Sequence, residues 1–264
     1  MSFWQSLLLG ILQGISEFIP ISSSGHLIVM RTVLGIGEIP LLYDIVLHIA
    51  TLIAVVWFFR TRIARMIAAI WRWVTRRATD DDAVDLRLTL LVLLGTLVTV
   101  VIGLAIRRLD LHLYPKIVAG AFLVTAALLI LAHFAHGTTG YDGLKPRHAL
   151  IVGLAQGLAV VPGISRSGST ITAALWAGVS RERAGEFSFL LSIPAILGAL
   201  VLEMRDLSAL TDAVSPAAIA AGFVASLVFG LLSLSLLVRL IRGGKLWVFS
   251  IYLIPLGIWG LIAL

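Results

Sequence analysis

Apolar residues run along this chain in long blocks rather than in alternation. Six blocks, 41–59, 86–106, 117–134, 186–202, 216–238 and 246–264, are long enough to cross a hydrocarbon core of about 30 Å as helices. A chain in that core has no water to satisfy its backbone, so blocks of this length predict transmembrane helices. Two further apolar stretches, 1–35 and 148–180, are each interrupted in the middle by proline, glycine and serine. Neither half of either stretch spans comfortably, and the pattern predicts a re-entrant helical hairpin in each. Such backbone is tolerated at membrane depth only when it is buried in protein or lines a wet cavity.

The two broken stretches resemble each other. "GILQGISEFIPISSSGHLI" (10–28) and "GLAQGLAVVPGISRSGSTI" (153–171) pair Gly10 with Gly153, Gln13 with Gln156, Gly14 with Gly157, Ser22 with Ser165, Ser24 with Ser167 and Gly25 with Gly168. The chain thus reads as one membrane domain, 1–264, with internal repeats over about 1–134 and 148–264. Each repeat is a hairpin followed by three spans. An odd number of crossings inverts the second copy, which brings the two broken tips together inside the membrane, where proteins of this architecture place their sites. The fold class expected is therefore all-α integral membrane, with about six transmembrane helices and two hairpins arranged as inverted repeats.

Composition agrees with this picture. The 264 residues are 59% hydrophobic and only 13% charged, with a mean hydropathy of +1.05, against about a quarter charged in soluble domains. The start, "MSFWQSLLLG", has neither a basic n-region nor a small-residue cleavage site and reads as part of the mature fold. Cysteine is absent, which removes disulfides, thiolate metal sites and cysteine nucleophiles. The net charge of +6 does not point to nucleic acid, because the cations sit between the apolar blocks, where they set orientation. Arg60, Arg62, Arg65, Arg72, Arg76, Arg77 and Arg87, with interleaved tryptophans, predict an interfacial amphipathic helix on the cytoplasmic side. Loops 135–148, 180–185 and 239–245 then fall on that side, and the acidic loop 203–215 (Glu203, Asp206, Asp212) falls outside. Loop 107–116, with Arg107, Arg108 and Lys116, runs against the rule.

The tips carry the chemistry. Gln13 and Glu17 share one helical face, Pro20 ends that helix, and Ser22, Ser23 and Ser24 precede a helix whose first turn holds His26. The second tip, "PGISRSGST", sets Arg166 between Ser165 and Ser167, with Gly168 following. A glycine-loosened turn opening onto a helix N-terminus presents N–H donors and a favourable dipole to an anion, and a guanidinium matches phosphate oxygens. Carboxylate, hydroxyl and imidazole on one tip, with anion donors on the other, suit phosphoryl transfer. The serines would serve equally as plain helix caps, and Glu17 with Arg166 as an ion pair joining the repeats. A charge within a membrane span, however, costs at least about 2.5–3.5 kcal/mol and ordinarily marks function. Asp44 and His48, four apart, either line the cavity or pair with each other. His112, His133, His136 and His148 lie near span ends and form no zinc-type cage. A metal here is expected to be a hard ion, Mg²⁺ or Ca²⁺, on Glu17 and the Gln13 carbonyl together with phosphate oxygens.

"QGISEFIPISSSGH" and "PGISRSGST" closely resemble the two signature motifs of the bacterial undecaprenyl-diphosphate phosphatase family, also called the bacitracin-resistance protein family. The resemblance covers essentially the whole chain, including "DIVLHIATLIAVV". It implies removal of one phosphate from undecaprenyl diphosphate, the spent carrier of cell-wall synthesis, by a divalent-metal-dependent multispanning protein of the bacterial plasma (inner) membrane, with its site on the periplasmic or outer side. Matched by motif, the functional positions are Gln13, Glu17, Ser23, His26, Ser165, Arg166, Ser167 and Thr170. Gln13 stands where the motif takes Glu or Gln, so a two-carboxylate clamp is absent here. Ser23 and His26 both stand as candidate nucleophiles. The partners expected are a polyisoprenyl diphosphate and membrane lipid, with no nucleic acid; glycine- and alanine-rich spans such as "AAIAAGFVASLVFG" also permit a homodimer. The competing class is a polyisoprenyl-phosphate flippase using the same anion site without hydrolysis.

Overall fold

The structure, a computed structural model, describes residues 1–33, 41–109, 111, 114–203 and 214–263. Its described residues are helical almost throughout. In order they form α1 (Phe3–Phe18), α2 (Ser23–Val33), α3 (Leu41–Phe58), α4 (Arg60–Val74), α5 (Ala83–Arg107), α6 (Pro115–Phe134), α7 (Pro146–Leu158), α8 (Arg166–Trp176), α9 (Arg181–Glu203), α10 (Pro216–Arg242) and α11 (Ser250–Ala263). Local sequence sets the starts. Ser2 and Gln5 close a capping box on α1, and proline occupies the first position of α6, α7 and α10.

Each expected span has its helix, with one difference in length. Five are long and apolar enough to cross a membrane, and the sixth, α3, bends by 78° into α4. The reason lies in α4, where arginines alternate with apolar faces and Ile67, Trp71 and Trp73 stay exposed, as suits a helix lying at a bilayer surface. Both broken stretches are helical pairs, α1 with α2 and α7 with α8, separated by residues 19–22 and 159–165. Asp206, Asp212 and His112 lie outside the described residues.

The halves pack alike. Helix α1 lies along α10, and α7 along α5. A Cβ on Gly10 would sit 2.2 Å from the Gly222 carbonyl oxygen, and one on Gly153 would sit 2.5 Å from that of Gly95. The partner segments "GTLVTVVIG" (95–103) and "GFVASLVFG" (222–230) share a glycine, hydroxyl, glycine pattern at every fourth residue, the small-residue seam that lets helices approach in lipid. Gly10→Ala is therefore expected to cost about 1–3 kcal/mol by overpacking. Thermal melting in detergent checks this against Gly120→Ala, whose Cβ meets nothing within 4 Å and should leave the transition in place.

On the face carrying α4, Arg62 donates to Glu186 at 2.7 Å and to Asp85 at 2.8 Å while its guanidinium stacks over Tyr141. This cluster ties α4 to α5 and α9, leaving the two helix breaks to face each other deeper in the bundle.

Candidate active site

The tip between α1 and α2 turns sharply. Ser22 adopts a positive φ of 70°, a conformation costly for a residue with a Cβ and tolerated where the surroundings enforce it. Enforcement comes from the other tip: the Gly163 amide donates to Ser22 Oγ at 3.1 Å, and Ser167 Oγ donates to the Phe18 carbonyl at 3.0 Å. Thr125 of α6 clamps the second break from behind, donating to the Gly163 carbonyl at 2.8 Å and accepting from the Ser165 amide at 2.9 Å. Nothing in the tip motifs singled out Thr125; the available signal was a hydroxyl buried in the middle of an apolar span.

At the junction lies Glu17, its side chain only 6% exposed. Its Oε1 accepts from Arg166 Nη2 at 2.5 Å, and its Oε2 accepts from Ser23 Oγ at 2.7 Å and from Gln13 Nε2 at 3.0 Å. This carboxylate thus links α1 both to Ser23 of α2 and to Arg166 of α8. Arg166 opens α8, with Ser165 as its N-cap accepting from the Gly168 amide at 3.1 Å. Its second nitrogen, Nη1, is buried and has no partner among the described residues, nor has Gln13 Oε1. A buried guanidinium nitrogen without an acceptor, at a helix N-terminus, is the chemistry that takes up an anion.

A cavity of about 540 Å³ opens from this junction. Glu17, Ser22, Ser23, Ser24, Ser165, Arg166 and His48 line its polar end. His48 is the residue the sequence left undecided. It does not pair with the Asp44 carboxylate, which binds Arg31 instead; its Nδ1 faces the Asp44 carbonyl at 2.7 Å, and its Nε2 lies 3.5 Å from Glu17 Oε2.

Five expected site residues stand apart from the cavity wall: Gln13, which reaches it only through Glu17; Ser167, which is spent on the Phe18 carbonyl; and His26, Thr170 and Gly168. His26 is turned into the bundle, stacked on Tyr252 and edge-on to Phe122. Its Nδ1 lies 2.8 Å from the Ser22 carbonyl, which can only accept, so in the neutral ring Nε2 is left to accept from the Tyr252 hydroxyl at 2.9 Å. Thr170 is wholly buried, bonded to the Arg166 carbonyl and to Ser188. Gly168 supports the cap and packs on Leu129. Among the described residues no three His, Cys, Asp or Glu side chains cluster as a metal cage. The donors fit a hard cation shared with a ligand, since Glu17 stands beside the unpartnered Gln13 Oε1.

Fold and site together define a polytopic all-α membrane protein built around a buried polar centre with anion-binding donors. Comparison with known proteins places it more closely. The profile of the family described as bacitracin resistance protein BacA matches residues 6–259, and the chain belongs to that family. It is 44% identical over 262 residues to a protein of Treponema denticola named undecaprenyl-diphosphatase, covering 98% of this chain and 96% of the relative. Proteins of the same name from Desulfatibacillum aliphaticivorans and Methanosphaera stadtmanae are 41% and 40% identical, each covering 96% of this chain and 95% of the relative.

Proposed function

We propose that this chain is an undecaprenyl-diphosphate phosphatase, releasing phosphate from the lipid diphosphate and regenerating the monophosphate carrier. The observation that carries the reading is the convergence of Ser23, Glu17 and Arg166 at the wall of one cavity, in a chain whose relatives bear that enzyme's name. Arg166 Nη1 and the first amides of α8 bind the diphosphate. Ser23 Oγ attacks the terminal phosphorus in line while its proton passes to Glu17 Oε2. The bond to the bridging oxygen breaks, and the lipid monophosphate leaves with the electron pair. Water then cleaves the phosphoserine, returning the proton to Ser23 and freeing phosphate. Charge on the transferring group is met by donors already in place, the main source of catalysis in phosphoryl transfer.

Ser23 is favoured over His26 as nucleophile, because Ser23 faces the cavity and the carboxylate whereas both His26 nitrogens are engaged elsewhere. His26 is assigned to holding the Ser22 turn, as are Ser167 and Thr170 to holding the tips. Mg²⁺ or Ca²⁺ would sit on Glu17 and the Gln13 amide oxygen and supply charge neutralisation for the diphosphate. The site is read as opening to the outer side of a bacterial plasma membrane, since the cavity reaches Arg107 at the end of α5 remote from the arginine-rich α4. That reading goes with inverted repeats, supported by the paired tips and the matching α1/α10 and α7/α5 seams.

The test is phosphate release from undecaprenyl diphosphate in detergent micelles, with Mg²⁺, with Ca²⁺ and with chelator. Release with either ion, suppressed by chelator, is the expected result. Lipid binding without release under any condition would instead identify a carrier, which the relatives' names do not favour.

A further inference from the structure

His48 stands beside the reacting carboxylate, and the phosphate chemistry leaves it unused. Its Nδ1 lies 2.7 Å from the Asp44 carbonyl, which can only accept, so in the neutral ring the proton sits on Nδ1 and Nε2 presents a lone pair. That lone pair lies 3.5 Å from Glu17 Oε2 at the wall of the cavity, beyond the range of a good N–H···O bond. Two acceptors this close repel unless something positive lies between them. The neighbouring arginines are engaged elsewhere: Arg31 holds the Asp44 carboxylate, and Arg166 holds the other oxygen of Glu17. One helical turn before Glu17, Gln13 sets its amide 3.0 Å from the same Oε2 and keeps its own Oε1 buried without a partner among the described residues. The repeat also ties these residues together. In the second copy Val160 stands at the place of Glu17 and Ser192 at that of His48, so carboxylate and imidazole are present together in one half and absent together from the other.

We propose that His48 Nε2 is a ligand of the divalent ion at this site, holding it together with Glu17 Oε2 and, once its amide turns over, Gln13 Oε1. This ligand deepens the phosphatase reading and rests on it for the phosphate oxygens that share the ion. Spacing carries it. Neighbouring donors bound at about 2.1 Å to one ion stand about 3.0 Å apart in octahedral and about 3.4 Å apart in tetrahedral coordination, and the amide and imidazole stand 3.0 and 3.5 Å from Glu17 Oε2. The Asp44 carbonyl on Nδ1 is the kind of partner that fixes the tautomer and direction of a ligating imidazole. One nitrogen among oxygens also changes which ion is preferred. Ca²⁺ takes oxygen ligands, whereas first-row transition ions bind mixed nitrogen and oxygen sets. A site that includes His48 therefore favours Mn²⁺ over Ca²⁺.

The experiment loads the detergent-solubilised protein with Mn²⁺, records pulsed electron paramagnetic resonance of the bound ion, and titrates Mn²⁺ and Ca²⁺ for their Kd values. Wild type, His48→Gln and Glu17→Gln are compared. In the wild type a ¹⁴N modulation from directly bound imidazole is expected, changing to the ¹⁵N pattern when histidine alone is ¹⁵N-labelled, an arm that needs no substitution. His48→Gln should lose the modulation and lower the preference for Mn²⁺ over Ca²⁺ by about tenfold or more, since even an outer partner of a ligand is worth that much. The preference is a ratio, so a smaller folded fraction does not imitate the effect. Glu17→Gln should lose the ion. Mn²⁺ bound without histidine nitrogen, or an unchanged preference in His48→Gln, overturns the proposal and leaves His48 a plain charge partner of Glu17. Phosphate release that persists in chelator, from a protein that binds no Mn²⁺, overturns it while the phosphatase reading stands. A histidine-ligated ion in a protein that releases no phosphate would sustain the ligand and remove the phosphatase reading.

Discussion

Arg166→Ala is expected to reduce phosphate release by about 10³-fold or more and to destabilise the folded protein by about 3–5 kcal/mol. The first effect follows from the role of the guanidinium, which offers a buried unpaired nitrogen to the transferring phosphate; arginines that stabilise phosphoryl transfer contribute on this scale. The second follows from Glu17 of α1, whose side chain is 6% exposed and pairs with Arg166 of α8. Removing the cation leaves a buried carboxylate uncompensated, the costly way to break an ion pair. Two comparisons separate the effects. Arg166→Lys keeps the charge, so it should restore most of the stability while leaving activity well below wild type, because an ammonium lacks the fork that serves carboxylate and phosphate together. Arg166→Ala combined with Glu17→Gln should recover stability without recovering activity. Thermal melting in detergent and phosphate release, measured on the same preparations, check both. Full activity in the alanine variant would remove Arg166 from the mechanism.

Ser23→Ala should lower kcat by at least about 10³-fold with little change in KM, and should cost about 1.5–3 kcal/mol of stability, since it removes one donor from the buried Glu17 carboxylate but no packing. Ser23 is partly exposed to the cavity and donates a hydrogen bond to Glu17. A rapid acid quench of the wild type with labelled substrate should trap an acid-stable phosphoserine that Ser23→Ala does not form. An acid-labile adduct would move the nucleophile to His26, and it would require the ring to leave Ser22 and Tyr252. Retained turnover in Ser23→Ala with no adduct would point to direct attack by water.

How far the site was legible can be followed residue by residue. Gln13, Glu17, Ser23 and Arg166 were identifiable from their cost: polar and charged groups in apolar stretches beside helix breaks have few uses other than chemistry or pairing. The structure adds that the Glu17–Arg166 pair, which links α1 to α8, also lines the cavity. His26 lay on the same motif but points elsewhere: three residues on from Ser23, it stands about 60° round the helix and faces Phe122 of α6 and Tyr252 of α11. His48 was ambiguous for the opposite reason. Its spacing from Asp44 suggested a local pair, yet Arg31 takes that carboxylate and frees the imidazole toward Glu17.

The sequence by itself determined the membrane class, the number of spans to within the bend at α3, the two broken helical stretches and the residue types at their breaks, because each follows from local hydropathy, helix-breaking residues and the cost of buried charge. Tertiary structure alone decided which atoms meet: Thr125 behind the second break, Gly163 on Ser22, Arg166 on Glu17 and Ser226 on the Leu47 carbonyl. Those contacts join residues far apart in the chain, so no local pattern records them. Periodicity specifies which face of a helix is small or apolar, but whether two such faces touch or leave a passage is fixed only when all the helices are packed at once.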